Sequence, residues 1–499
     1  MRRSVSFAFV LTFGCAIAAA QQGQLEESAW REVEREFRAQ SQACGAVGAS
    51  LAFVDGGAIA RIAHHGVADL EANRAVDAET LFHWASCTKT LTGVAVMQLR
   101  DRGLLSLDSQ LIDLCPELRA VHDPSDALPR ATLRHAMQHA AGFRASTFPW
   151  GGEDWHPQEP KSWSQLVAMM PYTKVEFAPG EKFSYSNFGI VLLGRAIEQA
   201  SGDDYEVYME KNVLRPLGMR TAYFDATPWH LRKHRSHGYE RSKSGELRDL
   251  GAEFDTGITV SNGGLNASVA DMARYVTFLL GASEHGSDAA SVLSQASLAE
   301  MWEPTLSTGG PANERIGLCF FVQEREGSRV VTHTGGQQGY VSFFYVHPAS
   351  KTGAIGVWNT SSAGPAMQAI RSLCVEKLSL PRTPKLDATA PAAELAWKQF
   401  ALRIDRDESA KARLVVRCPT GGYKVELARA AIGPAGCEVD LRVEAPGKDE
   451  LVAQAAVEHA VEFTLGTTSR TKVRIALRER GAHYLVEPAF EDAGALLLR

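Results

Sequence analysis

The sequence predicts an α+β fold followed by a separate all-β module. Three observations predict it. Helical and strand patterns are mixed up to Leu380 without a regular βαβ alternation. A proline-rich stretch from Pro381 through Pro384 to Pro391 then interrupts the pattern as a linker. Beyond that stretch the apolar period becomes two, as in half-buried antiparallel strands.

The elements follow in order. Arg2 and Arg3 precede an apolar run from Val5 to Ala19, and Ala18-Ala19-Ala20 supplies small residues at A-x-A spacing. This is the layout of a signal peptide over residues 1–20, cleaved before Gln21. The run is short for a membrane span of ~20 residues, and Gln21, Gln22 and Gln24 follow at once. Thr12 stands where lipoprotein processing at Cys15 would want an aliphatic residue. No later apolar run is long enough to cross a bilayer. The expected mature chain is periplasmic or secreted, with no integral membrane span.

Trp30, Val33 and Phe37 have helical spacing. Ala49 to Val54, the turn Asp55-Gly56-Gly57, and Ala58 to Ala63 read as a hairpin. Ser86 to Arg102 is helical, with Gly103 as its stop. Ile190 to Ala200 is a second helix, closed by Gly202. Ser268 and Asp271 cap a third, which runs to Leu280. Val330 to Thr332, Tyr340 to Val346 and Gly353 to Trp358 read as strands, and Gln368 to Leu378 as a helix. After the linker (381–393), alternation at Tyr423, Val425, Leu427, at Cys437 to Val443, at Val461 to Leu465 and at Val473 to Leu477 gives the all-β module. Residues 394–499 are expected to form a small β-sandwich or barrel.

Composition excludes several classes. The 499 residues carry a formal net charge of −6. There is no basic run and no zinc-finger spacing, so no nucleic-acid partner is expected. Seven cysteines follow the signal segment, an odd number without CxxC spacing. Cys44, Cys87, Cys115, Cys319 and Cys374 read as buried free thiols. Cys418 and Cys437, close together in the C-terminal region, are the one candidate pair for a disulfide.

Three motifs carry chemistry. Ser86-Cys87-Thr88-Lys89 opens a helix, where residues three apart share a face. Lys89 thus brings an amine to the Ser86 hydroxyl, which needs a base to become a nucleophile. Burial can keep such a lysine neutral. Tyr185-Ser186-Asn187 offers a phenol as a proton shuttle and an amide for positioning. His333-Thr334-Gly335-Gly336, on or ending a strand, offers a backbone N–H that can pair with that of Ser86 as an oxyanion hole.

Other residues compete for a role. His135 and His139 are four apart, as in a zinc helix, but no third ligand is evident and no metal or cofactor is expected. Cys87 lies beside the nucleophile but off its reactive face. Trp150, Trp155 and Trp163 read as core packing or as a wall of the substrate pocket. No G-x-S-x-G occurs, which argues against an α/β-hydrolase.

Together and in this order, the three motifs resemble the serine β-lactamase and penicillin-binding-protein superfamily. The likeness is closest to class C β-lactamases and the S12 relatives: D-aminopeptidases, DD-carboxypeptidases and family-VIII esterases. Leu133 to Phe143 looks like that family's RHLLTHTSGL segment. Phe177-Ala178-Pro179-Gly180 looks like its lead-in to Y-x-N, and Pro216-Leu217-Gly218-Met219 matches its PLGM. Gly263-Gly264-Leu265 with Asp271-Met272-Ala273 matches its GGL…DMA. The resemblance covers roughly Leu25 to Leu380, within a hydrolase domain taken as residues 21–380.

The resemblance implies an antiparallel sheet flanked by helices, with the site between them. It implies Ser86 as the acylated nucleophile, with Lys89 and Tyr185 sharing the base and acid roles. Asn187, His333 and Thr334 position, and the amides of Ser86 and Gly336 form the oxyanion hole. Which of Lys89 and Tyr185 takes the first proton is left open. The family's β-lactamases usually carry lysine where this chain has His333, and histidine is mostly neutral near pH 7. The expected function is therefore an exported serine hydrolase acting on amide bonds of small peptides, including D-residue or peptidoglycan-derived ones. A carboxylesterase is the alternative and a weak β-lactamase the third reading. A non-catalytic β-lactam sensor or scaffold is the reading from a different class.

Overall fold

The computed structural model describes residues 27–379 apart from 144–159, 243, 283–290, 312 and 326–327. Beyond residue 400 it describes the backbone of eight strands. The signal segment, the linker, Trp150 and Trp155 lie outside the described residues. The chain divides into two compact units, Ser28–Leu380 and one built from Pro381 onward.

The first unit opens with helix α1 (27–43). The hairpin β1 (Gly48–Asp55) and β2 (Ala58–Asp69) follows, with Gly56 and Gly57 at positive φ in its turn. Short strands β3 (Arg74–Ala75) and β4 (Leu81–His83) lead to helix α2 (Thr88–Asp101). Helices α3 (Leu133–Met137) and α4 (Asn187–Ser201) follow further along, after and between shorter helical segments. Gly202 ends α4 at φ +75, the left-handed cap a glycine adopts freely. Strands β5 (Tyr223–Phe224), β6 (Tyr239–Arg241), β7 (Leu247–Asp249) and β8 (Leu265–Ser268) precede α5 (Val269–Leu279). Ser268 caps α5 by accepting from Asp271 N. The unit closes with β9 (Leu306–Ser307), β10 (Arg315–Ile316), β11 (Phe321–Arg325), β12 (Ser328–Gln337), β13 (Tyr340–His347), β14 (Thr352–Trp358) and helix α6 (Gly364–Cys374).

The main sheet has nine strands in the order β3-β2-β1-β14-β13-β12-β11-β10-β9. Every pairing in it is antiparallel. The first and last parts of the unit therefore meet at β1 and β14, in register Ala52↔Ile355. Both faces of the central strands β1, β13 and β14 are buried. Leu51, Phe53, Phe343, Tyr345 and Trp358 pack under Trp30, Val33 and Phe37 of α1 and Met367 and Ile370 of α6. Ala52, Val54, Phe344, Val346, Ile355 and Val357 join the larger core, with Leu91 and Val94 of α2, Ile190 and Leu193 of α4, and Met272 and Val276 of α5. Burial of these two apolar faces fixes the sheet between two helical layers.

Two expectations change in detail. Strand β12 runs on through His333, Thr334, Gly335 and Gly336, pairing Gly335↔Ser342 and Gly336↔Val341. Gly335 marks a close approach within the strand rather than its end. A Cβ on Gly335 would lie 2.3 Å from Trp84 O and 2.4 Å from Ser342 Oγ. In the second unit the strands are not all antiparallel.

That unit holds β15 (Ala401–Arg406), β16 (Lys411–Cys418), β17 (Lys424–Gly433) and β18 (Gly436–Glu444). It continues with β19 (Val457–Thr464), β20 (Thr471–Glu479), β21 (Ala482–Val486) and β22 (Ala489–Phe490). One sheet is β15-β16-β19, and the other is β17-β18-β20-β21 with β22 beside β20. The pair β18 and β20 is parallel, Leu441↔Ile475, because β19 lies between them in sequence and belongs to the other sheet. Such a crossover returns the chain in the same direction. The side chains of Cys418 and Cys437 lie outside what is described, whereas Cys44, Cys87, Cys115, Cys319 and Cys374 are free thiols.

Candidate active site

Ser86 sits in a single 3-10 turn, Ala85–Cys87, that runs into α2. The turn is tightly held. Trp84 N donates to Leu265 O at 2.9 Å, and the Trp84 indole donates to Ala267 O at 3.0 Å. Ser342 Oγ donates to Trp84 O at 2.9 Å, and Thr88 Oγ1 to Ala85 O at 2.6 Å. Ala85 is forced to φ +47, a left-handed value uncommon outside glycine. The side-chain-free face of Gly335 lets β12 lie against this turn. The nucleophile candidate is thus fixed by β8, β12 and β13 together.

Lys89, the second residue of α2 and one turn on from Ser86, is fully buried. Its Nζ donates to Ser86 Oγ at 2.9 Å and to Asn262 O at 2.7 Å. Burial lowers its pKa to about 7. Among the described residues no carboxylate forms an ion pair with it, and burial outweighs the smaller opposing effect of Cys319 and Cys87. Lys89 Nζ also lies 5.1 Å from the centre of the Tyr185 ring. The Tyr185 phenol is hydrogen-bonded to Ser86, and burial pushes its pKa well above the ordinary tyrosine value. Ser86, Lys89 and Tyr185 are therefore brought together as one cluster. Ser186 caps α4 by accepting from Gly189 N at 3.1 Å, and Asn187 is the first residue of that helix.

His333 is buried on β12, with its ring 5.1 Å from Phe321 and 6.4 Å from Tyr185. Its Nδ1 donates to Thr334 O at 2.7 Å. Nε2 is then an unprotonated acceptor, and it has no hydrogen-bond partner among the described residues. Burial, then the nearby Lys89 charge, lowers its pKa to about 3. The third motif therefore carries a neutral ring and no fixed cation. Gly336 is exposed at the edge of the cluster, with open space around its Cα.

Sequence reasoning missed two contributors. Asn262 holds Lys89 through a backbone carbonyl, which no residue type announces; its only signal is its place before Gly263-Gly264. His139 stacks on Tyr185 with ring centres 4.4 Å apart. The zinc-like spacing of His135 and His139 does not make a joint site. His135 Nδ1 bonds Thr132 in the capping box of α3, and His139 Nδ1 accepts from Ser186 N. Among the described residues no group of three metal-binding side chains forms. Cys87 is held away from the nucleophile, its Sγ 3.5 Å from Ser342 Oγ, and burial pushes its pKa to about 12. Trp163 is half-buried and packs against the core: its indole donates to Glu117 at 3.2 Å, and Arg195 of α4 lies over its ring.

Comparisons with known proteins bear on the family and the fold. The chain is 30% identical to esterase EstB of Burkholderia gladioli over 186 residues, which is 34% of this chain and 47% of the esterase. The matched stretches cover between 32% and 60% of the first curated relatives' own lengths. The octameric penicillin-binding protein homologue from Pyrococcus abyssi superposes with a TM-score of 0.60 at 21% identity, over 94% of this chain and 96% of that one. A class C β-lactamase superposes with a TM-score of 0.60 at 20% identity, over 72% of this chain and 98% of its own. At these identities the two structures share the fold, the β-lactamase and transpeptidase arrangement of an antiparallel sheet between helices. With residues 33–373 matching the family model described as Beta-lactamase, the chain belongs to that family.

Proposed function

We propose that the chain is a serine hydrolase that cleaves amide bonds of small peptides through an acyl-enzyme on Ser86. The observation that carries this reading is the 2.9 Å contact of Lys89 Nζ with Ser86 Oγ, in surroundings that hold the lysine near neutrality at about 7. Neutral Lys89 accepts the Ser86 proton as Oγ attacks the substrate carbonyl carbon. The new C–O bond leaves the negative charge on the carbonyl oxygen, where the amides of Ser86 and Gly336 would receive it. Tyr185, kept as a phenol by burial, gives its proton to the leaving nitrogen and regains one from the Lys89 ammonium. The C–N bond breaks, and water repeats the sequence on the ester.

The same geometry weighs on the substrate. A neutral His333 offers no fixed positive charge to a β-lactam carboxylate, which ranks β-lactams below peptides and esters. A second reading, a carboxylesterase, is favoured by the uncharged ring surface of Phe321 and His333 beside Tyr185. Its similarity to an esterase points the same way. A non-catalytic binding protein would have no use for a near-neutral lysine on a serine. Purified protein tested on D- and L-amino-acid p-nitroanilides, p-nitrophenyl esters and nitrocefin decides. Turnover of anilides supports the peptidase. Turnover of esters alone moves the assignment to the second reading. No turnover and no covalent label on Ser86 refutes both. We also propose that residues 1–20 are removed on export; N-terminal sequencing should find Gln21 first.

A further inference from the structure

His139 sits two residues beyond the end of α3 in a left-handed conformation, φ +53. It is 2% exposed and makes three separate contacts with the segment that carries Tyr185. Its carbonyl accepts from Ser184 N at 2.8 Å, on one side of Tyr185. Its Nδ1 accepts from Ser186 N at 3.0 Å, on the other side. Its ring lies against the Tyr185 ring at 4.4 Å and 28°. Phe183 closes on the His139 edge at 5.8 Å, and Phe321 lies nearly parallel to Tyr185 at 6.4 Å.

These contacts need a particular residue type. An aliphatic side chain would leave Ser186 N without its acceptor inside the protein, which costs free energy. Asparagine could accept but has no ring to stack. Phenylalanine has the ring but no acceptor. Histidine supplies both, and only when neutral, because Nδ1 must keep its lone pair. Burial, followed by the nearby Lys89 amine when charged, lowers its pKa well below the usual value, so the neutral form holds. With Nδ1 accepting, the proton is on Nε2. That buried N–H has no partner among the described residues, so the ring's polar contact is spent on the Tyr185 segment alone.

We propose that His139 is a positioning residue of the hydrolase site, holding the Tyr185 phenol in register with Ser86 and Lys89 by gripping the backbone on both sides and the ring on one face. This rests on the acyl-enzyme reading of Ser86. His139 touches neither Ser86 nor a substrate in this scheme; it acts through Tyr185. A phenol displaced by about 1 Å can lose on the order of 100-fold in rate. Bulk stability alone would not show that pattern.

The test uses two complementary variants, His139→Asn and His139→Phe, with Tyr185→Phe and the double variant His139→Asn/Tyr185→Phe. Read-outs are the rate of Ser86 labelling by a fluorophosphonate, kcat and KM for p-nitrophenyl butyrate, and melting temperature. Each single His139 variant should lose about 10- to 100-fold in labelling rate and kcat, with KM within about threefold of the parent. The double variant should be no slower than Tyr185→Phe, since both act on one group. If His139→Asn does not fold, His139→Phe is read alone. Parent-like labelling with only a lowered melting temperature would overturn the proposal, as would losses that multiply in the double variant. A parent protein that is not labelled at Ser86 would instead refute the acyl-enzyme reading.

Discussion

In the proposed mechanism Lys89 is the base, and its environment sets a pH dependence. Protonated Lys89 cannot accept the Ser86 proton. kcat/KM should therefore fall about tenfold per pH unit below pH 7 and level off above it. The groups around the amine do not compete for that limb. His139 and His333 are held neutral by burial, with His333 down at about 3. The Cys87 and Cys319 thiols are pushed up to about 12, and the Tyr185 phenol is pushed up as well. A pH profile of His333→Gln should keep the limb near 7; a limb that moved with His333 would assign it to histidine. Lys89→Ala and Tyr185→Phe should each lower kcat by about 100-fold or more, and the pair little further, as for residues of one relay. Losses that multiply would mean independent roles. At the third motif, His333→Lys should raise nitrocefin hydrolysis relative to that of a neutral ester. Fast cephalosporin turnover by the unaltered protein would contradict the ranking of substrates. Ser86, Lys89 and Tyr185 were legible because side-chain chemistry at fixed spacing leaves a mark in the sequence. Asn262 left none, since a carbonyl is common to every residue. His139 was visible as half of a zinc-like pair and as part of the Leu133 to Phe143 segment, but its link to Tyr185 was not, because Tyr185 is distant in the chain.

The elements around the site meet at very short range, and glycine makes that possible. Gly335 on β12 faces the Trp84–Ala85 turn, where an added methyl would collide with backbone and with Ser342. Gly335→Ala should lower stability by about 1–3 kcal/mol through overpacking. It should also slow Ser86 labelling, because the turn must shift. Gly336→Ala, one residue on, has open space and should leave the melting temperature unchanged. Equal effects of the two substitutions, read by thermal melts and labelling rates, would show that the close approach is unimportant. The same glycines explain where reading by pattern stopped short. Gly335 and Gly336 look like a strand terminus, yet their backbones continue the β13 ladder. Helices α1 and α5 were legible from apolar spacing and caps, since a buried stripe and a Ser268 N-cap are local signals. The parallel pairing of β18 with β20 was not, because alternation reports which residues face inward and carries no strand direction.

In the whole molecule, all three motifs lie in the unit Ser28–Leu380, on α2, at the start of α4 and on β12. The second unit supplies none of them. A chain ended after Leu380 is therefore expected to stay soluble, to keep its helical circular dichroism and to be labelled at Ser86. Aggregation of that shortened chain would mean that the C-terminal strands cover an apolar face it needs. The order of the nine-stranded sheet gives the physical reason for expecting independence: β1 and β14 pair directly, so the unit closes on itself without later residues. The most direct measurement is intact-mass and peptide mapping of the protein after reaction with a fluorophosphonate, alongside Ser86→Ala. An acyl-enzyme mechanism predicts one adduct on Ser86 and none in the variant. An adduct on Cys87, or an unchanged adduct in Ser86→Ala, would contradict it.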